Sequence, residues 1–255
     1  MNGKKKEFLA LIPARGGSKS VPRKNLLSML GRPLVAWSIH HALRSKFITR
    51  VIVSTDDQEI ADVARAWGAE VPFLRPSSLA QDHSLDLEAF QHALNWLQAE
   101  EGYLPDLVVH LRPTGPARRI ELIDRAIQVL LAHPEADSLR SVSLAEHTPY
   151  KMWLLNDDGS MRPAVTLNGV KEAHSVARQM LPKAYWQNGY VDVVKPATIL
   201  DKESMVGDCP LPFIIGEEIC DVDYFDDIPR VESALKAILD GQEPVGQLDS
   251  DRHPV

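Results

Sequence analysis

The chain has 255 residues, of which 44% are hydrophobic and 25% charged, and a net charge of −7. That length supports a sizeable core in one large domain, and the acidic balance argues against a general nucleic-acid binder, which carries excess positive charge. Two cysteines, Cys209 and Cys220, are too few for a disulfide framework, and no apolar run approaches the ~20 residues of a membrane helix, so a cytoplasmic protein without membrane contact is expected.

Phe8–Ile12 is a short apolar run, read as a buried strand. It ends in a loop containing Arg15, Gly16, Gly17, Ser18, Lys19, Arg23 and Lys24. Leu34–Leu43 has apolar residues at helical spacing. The β-branched run Arg50–Ser54 leads into a helical pattern over Gln58–Ala64, with Thr55 or Asp56 as N-cap and Gly68 as terminator. Glu70–Phe73 reads as a short strand, Leu85–Leu97 as a helix and Asp106–Leu111 as a strand. Ile120–Leu131 is a helix closed by His133 and Pro134, and Ser138–Ser143 is the next strand. This alternation predicts an α/β fold, a mostly parallel sheet with helices on both faces. From Thr148 to about Pro196 the pattern changes to turns (Asn156 to Gly159, Asn168-Gly169, Asn188-Gly189), prolines and aromatics. That stretch is predicted to be an irregular or β-rich excursion that covers the site or meets a partner subunit. Phe213–Ile215 and a last helix, Ile228–Leu239, complete a single domain, with a loose polar tail from Gly241 to Val255.

Neither Gly-x-x-x-x-Gly-Lys-Ser/Thr nor Gly-x-Gly-x-x-Gly occurs in the first loop. Four cations (Arg15, Lys19, Arg23 and Lys24) nevertheless crowd beside Gly16, Gly17 and Ser18. They directly follow the first strand, and ligands of such sheets gather at strand carboxyl ends. Backbone N–H groups together with mobile cations suit a polyphosphate, whereas the plainer reading is a solvated basic turn. Near the other end, Asp221 and Asp223 flank Val222 after an apolar, strand-like segment. Alternation would put both carboxylates on one face, a donor set for Mg²⁺ (or Mn²⁺), with a solvated acidic turn as the alternative. His40-His41 reads as a surface or interface pair. Lys151 stands between Tyr150 and Trp153, either lining a pocket or packing on a core. The cysteines read as structural, and no Gly-x-Ser-x-Gly elbow marks a serine hydrolase.

The segment Leu11-Ile12-Pro13-Ala14-Arg15-Gly16-Gly17-Ser18-Lys19, with Pro22, Lys24 and Asn25, resembles the signature of the acylneuraminate cytidylyltransferases, the CMP–sialic acid synthetases. The resemblance continues in order through Ile52–Asp56, Leu74-Arg75-Pro76, Leu79-Ala80-x-Asp82, Leu111-x-Pro113-Thr114-x-Pro116, Arg178 to Pro182, Asn188-Gly189 and Asp221-x-Asp223, nearly the whole chain. It implies a Rossmann-like sheet in which residues 148–196 form a dimerisation subdomain reaching over the partner's site. It implies a homodimer whose substrates are CTP and a 2-keto-3-deoxy sugar acid, giving CMP-sugar and pyrophosphate. Arg15, Lys19 and Lys24 would hold the CTP phosphates, with Gly16, Ser18 and Asn25 beside them. Arg75 would lie near the cytosine, and Ser84 falls in the base-contact stretch. Asp221 and Asp223 would ligate magnesium, and Arg178 and Asn188 fall in the sugar-contacting region, to which Lys151 is added. Relatives acting on octulosonate or another sugar, and a non-catalytic nucleotide-binding homologue, are the alternatives.

The chain departs from the family pattern at three places. Arg112 replaces the glutamine that helps hold the sugar acid, and offers either a clamp for a carboxylate or a salt bridge to a neighbour. Asp86 stands where a small hydroxyl residue often sits, and Trp186 where some sialic-acid enzymes carry arginine. These changes predict an altered sugar pocket and leave the acid's identity open. They spare the phosphate loop and the aspartate pair.

Overall fold

The computed structural model of the protein describes residues 5–217 and 219–241. The expected loose tail, from 242 on, lies outside the described residues. The chain runs β1 (Phe8–Pro13), the short pair β2 (Ser28–Met29) and β3 (Arg32–Pro33), α1 (Leu34–Arg44), β4 (Arg50–Ser54), α2 (Gln58–Ala66), α3 (Asp86–Glu101), β5 (Leu107–His110), α4 (Ile120–Leu131) and β6 (Ser138–Leu144). It continues through the hairpin β7 (Trp153–Leu155) and β8 (Met161–Pro163), then β9 (Tyr185–Val194), α5 (Pro196–Leu200), β10 (Pro210–Ile214) and α6 (Ile228–Leu239).

One six-stranded sheet, in the order β10-β6-β9-β5-β1-β4, organises the molecule. All pairings are parallel except those of β9, which runs antiparallel between β5 and β6. The strands are short apolar runs because both faces are covered. Phe8, Ala10 and Ile12 pack toward α1, α2 and α4, and Leu9 and Leu11 toward α3 and α5. A third cluster joins Met29, Leu34 and Trp37 to Cys220, Val222, Val231 and Leu235, and so binds α6 and the segment before it to the start of α1.

The structure corrects four local expectations. The N-cap of α2 is Asp57, whose carboxylate accepts from the Ile60 N–H at 3.0 Å; Thr55 instead accepts from the Asp57 N–H. Glu70–Phe73 makes only an isolated bridge to Ile52. The segment carrying Asp221 and Asp223 is a loop between β10 and α6, tied down by the Val222 N–H donating to the Thr114 carbonyl at 2.8 Å. The irregular excursion stops before Tyr185, because Tyr185–Val194 is a central strand. Its Asn188-Gly189 turn signal is a bulge: Gln187 pairs with Val142 and Asp192 with Arg140, so four residues of β9 face one of β6.

Candidate active site

β1, β4 and β5 end at the same edge of the sheet, where the loops after β1 and β5 and the segment 75–86 leading into α3 enclose a cleft of about 540 Å³. Arg15, Ser18, Lys19, Lys24, Asn25, Arg75, Ser84 and Arg112 all line it. The first loop is closed by Asn25, whose amide donates to the Arg15 carbonyl at 2.8 Å. Gly16 is held from beneath: its N–H donates to Asp56 at 2.9 Å, and a Cβ there would lie 2.7 Å from the Asp57 carboxylate. Glycine is required at this close approach, and its N–H is already used. Arg23 leaves the cluster of four cations, because its guanidinium pairs with Asp57 and Glu59. Arg15 and Lys19 both engage Asp82 across the mouth of the cleft, Arg15 at 2.9 Å. Arg75 is buried at the cleft wall with its Nε unpartnered, and burial depresses its pKa. Ser84 serves its own turn, accepting from the Gln81 N–H at 2.9 Å.

Lys24 connects the first loop to the aspartate pair. Its ammonium donates to the Val222 carbonyl at 2.7 Å and stands 3.6 Å from Asp223. Asp221 sits against Gly115, where a Cβ would come within 2.5 Å of its Oδ1. Burial raises the pKa of Asp221, and so does the charge of Asp223; Arg118, Arg112 and Lys24 oppose the shift. Arg118 is wholly buried and its pKa is pulled down to about 10, chiefly by burial. It donates to the carbonyls of Tyr190 and Arg112 at 2.5 and 2.7 Å, which fixes the loop after β5. Among the described residues no group of three or more His, Cys, Asp or Glu side chains is arranged to hold a metal. The oxygen-only pair Asp221 and Asp223 fits a hard cation that takes its remaining ligands from phosphates and water.

The two departures Arg112 and Asp86 meet in the lining of the cleft. Arg112 donates to Asp192 at 2.8 Å through Nη1 and approaches Asp86 at 3.4 Å through Nη2. Asp192 is fully buried and also takes Arg140 at 3.3 Å. Between the two aspartates lies His110, fully buried, 3.9 Å from Asp86 and 4.0 Å from Asp192, with both ring nitrogens unpartnered. Burial and the charges of Arg112, Arg140 and Arg118 hold its pKa well below the usual histidine range.

Three sugar-site expectations fall outside this cleft. Lys151 and Arg178 are exposed on the excursion, Arg178 near the Ala145 carbonyl at 3.3 Å. Asn188 is buried in β9, donating to Ser143 at 2.8 Å and accepting from the Tyr190 N–H at 3.1 Å. Trp186 is exposed and pairs with Ser143 in the sheet. The sequence reading missed His110, Asp192 and Arg118. The available signal for the first two was a polar residue inside an otherwise apolar strand, in Leu107-Val-Val-His110 and Tyr190-Val-Asp192-Val-Val.

A mostly parallel α/β sheet with a glycine-containing basic loop after its first strand and a cation-lined cleft at its carboxyl edge defines a Rossmann-like, nucleotide-binding class of protein. A family model described as cytidylyltransferase matches residues 9–186. Pseudaminic acid cytidylyltransferase of Campylobacter jejuni is 30% identical over 222 residues, 86% of this chain and 92% of that protein. CMP-N,N'-diacetyllegionaminic acid synthase of Legionella pneumophila is 42% identical over 122 residues, 48% of this chain and 52% of that one. Among solved structures, CMP:2-keto-3-deoxy-manno-octonic acid synthetase complexed with CTP shares the fold at 15% identity, with a TM-score of 0.67 over 92% of this chain and all of that one. The chain belongs to the acylneuraminate cytidylyltransferase family.

Proposed function

We propose that the protein joins CTP to a nonulosonic acid, a 2-keto-3-deoxy sugar acid of the sialic, pseudaminic or legionaminic kind. The observation that carries this reading is one cleft that gathers a cluster of cations and an arginine–aspartate pair. The cations Arg15, Lys19 and Lys24 and the Arg112–Asp86 pair line it together, and the Asp221–Asp223 loop is tied to Lys24. The C2 hydroxyl oxygen of the acid forms a bond to the α-phosphorus of CTP, the α–β bridging P–O bond breaks, and pyrophosphate leaves with that electron pair while the hydroxyl proton is released.

Charge builds on the leaving pyrophosphate, so the work of the chain is positioning and neutralisation. Lys24, fixed by the Val222 carbonyl, is preorganised for this role. Arg15 and Lys19 exchange Asp82 for phosphate oxygens, and the unpartnered Nε of Arg75 supplies a donor at the nucleoside end. Asp221 and Asp223 would hold Mg²⁺ or Mn²⁺, which when bound supplies further positive charge at the phosphates.

Lys151 and Arg178 lie on the excursion, whose apolar side chains Leu155 and Met180 are 77% and 75% exposed. That apolar surface supports a homodimer in which the excursion presents both cations to a partner's acid. Asn188 supports the bulge that sets Gly189 against Arg112. The need for CTP accords with a cytoplasmic site of action, and no helix of the described residues is long and apolar enough to cross a membrane.

Pyrophosphate release, measured with CTP against a panel of nonulosonic acids, octulosonate and phosphorylated sugars, tests the assignment. Release that requires CTP and a nonulosonic acid is expected, with loss of turnover in Asp221→Ala and Asp223→Ala. Preference for octulosonate or a sugar phosphate, or full turnover in both variants, contradicts it.

A further inference from the structure

We propose that Asp82 is an internal competitor at the polyphosphate site: its carboxylate occupies Arg15 and Lys19 in the free protein, and so lowers the affinity of that site for CTP and for inorganic pyrophosphate alike. The proposal rests on the cytidylyltransferase reading and deepens it at the phosphate-binding cations.

The three cations that the first loop gives to the cleft are held in two different ways. Lys24 is fixed chiefly by an uncharged group, the Val222 carbonyl at 2.7 Å, with Asp223 farther off at 3.6 Å. Arg15 and Lys19 both meet one carboxylate, that of Asp82, Arg15 at 2.9 Å. They come from the loop after β1 and Asp82 from the segment leading into α3, so the contact spans the mouth of the cleft. The turn that carries Asp82 is formed without them. The Ser84 N–H donates to the Gln81 carbonyl at 3.1 Å, the Ser84 hydroxyl accepts from the Gln81 N–H at 2.9 Å, and the Gln81 side-chain amide donates to the Ser77 carbonyl at 2.6 Å.

The other arginines around the cleft answer to other groups. Arg75, depressed chiefly by burial, lies in the field of Asp56, Asp86 and Arg15; Arg112 is bound to Asp192, and Arg23 to Asp57 and Glu59. Lys19, and then Arg15, hold the Asp82 carboxyl below its ordinary range. The Asp82 side chain is 43% exposed and that of Lys19 84%. Exposed ion pairs of this kind are weak and exchange readily, which suits a placeholder. A polyphosphate carries several negative charges to the one of Asp82 and displaces it; Asp82 recaptures both cations when pyrophosphate departs. Any ligand that must take both cations is opposed by the same occupied fraction, whereas cytidine, which carries no phosphate, is not opposed.

Calorimetric titration of the full chain in Mg²⁺ buffer with CTP, inorganic pyrophosphate and cytidine tests this. Wild type is compared with Asp82→Asn, Asp82→Ser and Asp82→Glu, and with Lys19→Met alone and combined with Asp82→Asn. Asp82→Asn and Asp82→Ser are expected to tighten CTP and pyrophosphate about three- to tenfold and to leave cytidine unchanged. Asp82→Glu keeps the carboxylate and should stay near wild type. In the Lys19→Met background Asp82→Asn should gain less, because one of its two partners is already gone. An Asp82 with only a structural role would not tighten the phosphate ligands selectively. If wild type binds CTP, and both neutral Asp82 variants bind CTP and pyrophosphate no more tightly than it does, the competitor is overturned while the cytidylyltransferase reading stands. Equal tightening of cytidine overturns it as well. If wild type binds neither CTP nor pyrophosphate, that reading fails and the competitor falls with it.

Discussion

Lys24 ties together two segments separated by almost the whole chain, for its ammonium holds the Val222 carbonyl of the loop that carries Asp221 and Asp223. Replacing it with methionine removes a preorganised donor from the site of developing charge and is expected to lower kcat about 10²- to 10³-fold in a pyrophosphate-release assay; a loss under threefold would contradict the role. Asp221 carries a second, opposite consequence. Burial raises its pKa, so the fold disfavours its ionised form relative to the unfolded chain. That cost is absent below the unfolded carboxylate range, appears as pH rises through it, and persists at neutral pH. Asp221→Asn is therefore expected to abolish turnover while raising Tm at pH 7 by about 2–4 °C per kcal/mol relieved. An unchanged or lower Tm would show that the carboxylate is better compensated than its burial implies. At this scale the sequence displayed the cations and the aspartates themselves but not their partners. Nothing along the chain announces that Arg112 and Asp86, 26 residues apart, approach within 3.4 Å, or that Arg23 is turned away onto Asp57 and Glu59. Those outcomes depend on how three loops converge.

The elements with a strong period were legible. α4 and α6 occupy the residues that apolar spacing assigned them, because one face of each packs on a core. β9 was not legible. Its asparagine and glycine read as a chain reversal, whereas the sheet absorbs them as a bulge with Gly189 at φ +68°. Local turn chemistry was right about the backbone and silent about the tertiary pairing on either side. The loop of Asp221 and Asp223 was likewise mistaken for a strand end, because Cys220 and Val222 are apolar for the third cluster and not for the sheet. That cluster places α6 in the site's support. Leu235, fully buried there, can be truncated as a test: Leu235→Ala is expected to cost about 2–5 kcal/mol in urea unfolding. It should also weaken turnover more than CTP binding, since Val222 shares the cavity. A loss below 1 kcal/mol would mean that α6 is not integral to the fold.

Across the whole molecule, two histidines are buried and uncharged, His110 in β5 beside the site and His41 in α1 away from it. His41 is pulled down to about 3 by burial and neighbouring cations, and His110 lies well below its usual range for the same reasons. Unfolded, both would take up protons near pH ~6.5. Stability is thus complete above that pH and falls as pH drops through it, by up to about 1.4 kcal/mol per pH unit for each histidine. Urea midpoints taken from pH 7.5 to pH 5 should decline before the carboxylates titrate, and a flat profile would contradict the burial of both rings.

The central claim is that this fold brings a CTP triphosphate and a sugar-acid carboxylate together in one cleft. Mass-spectrometric identification of the product formed from CTP and a nonulosonic acid tests it most directly. The expected result is the CMP ester of the acid with an equal amount of pyrophosphate, and no comparable product from ATP, GTP or UTP. Failure to form that ester from any acid of the panel, or equal product from the other nucleotides, would contradict it.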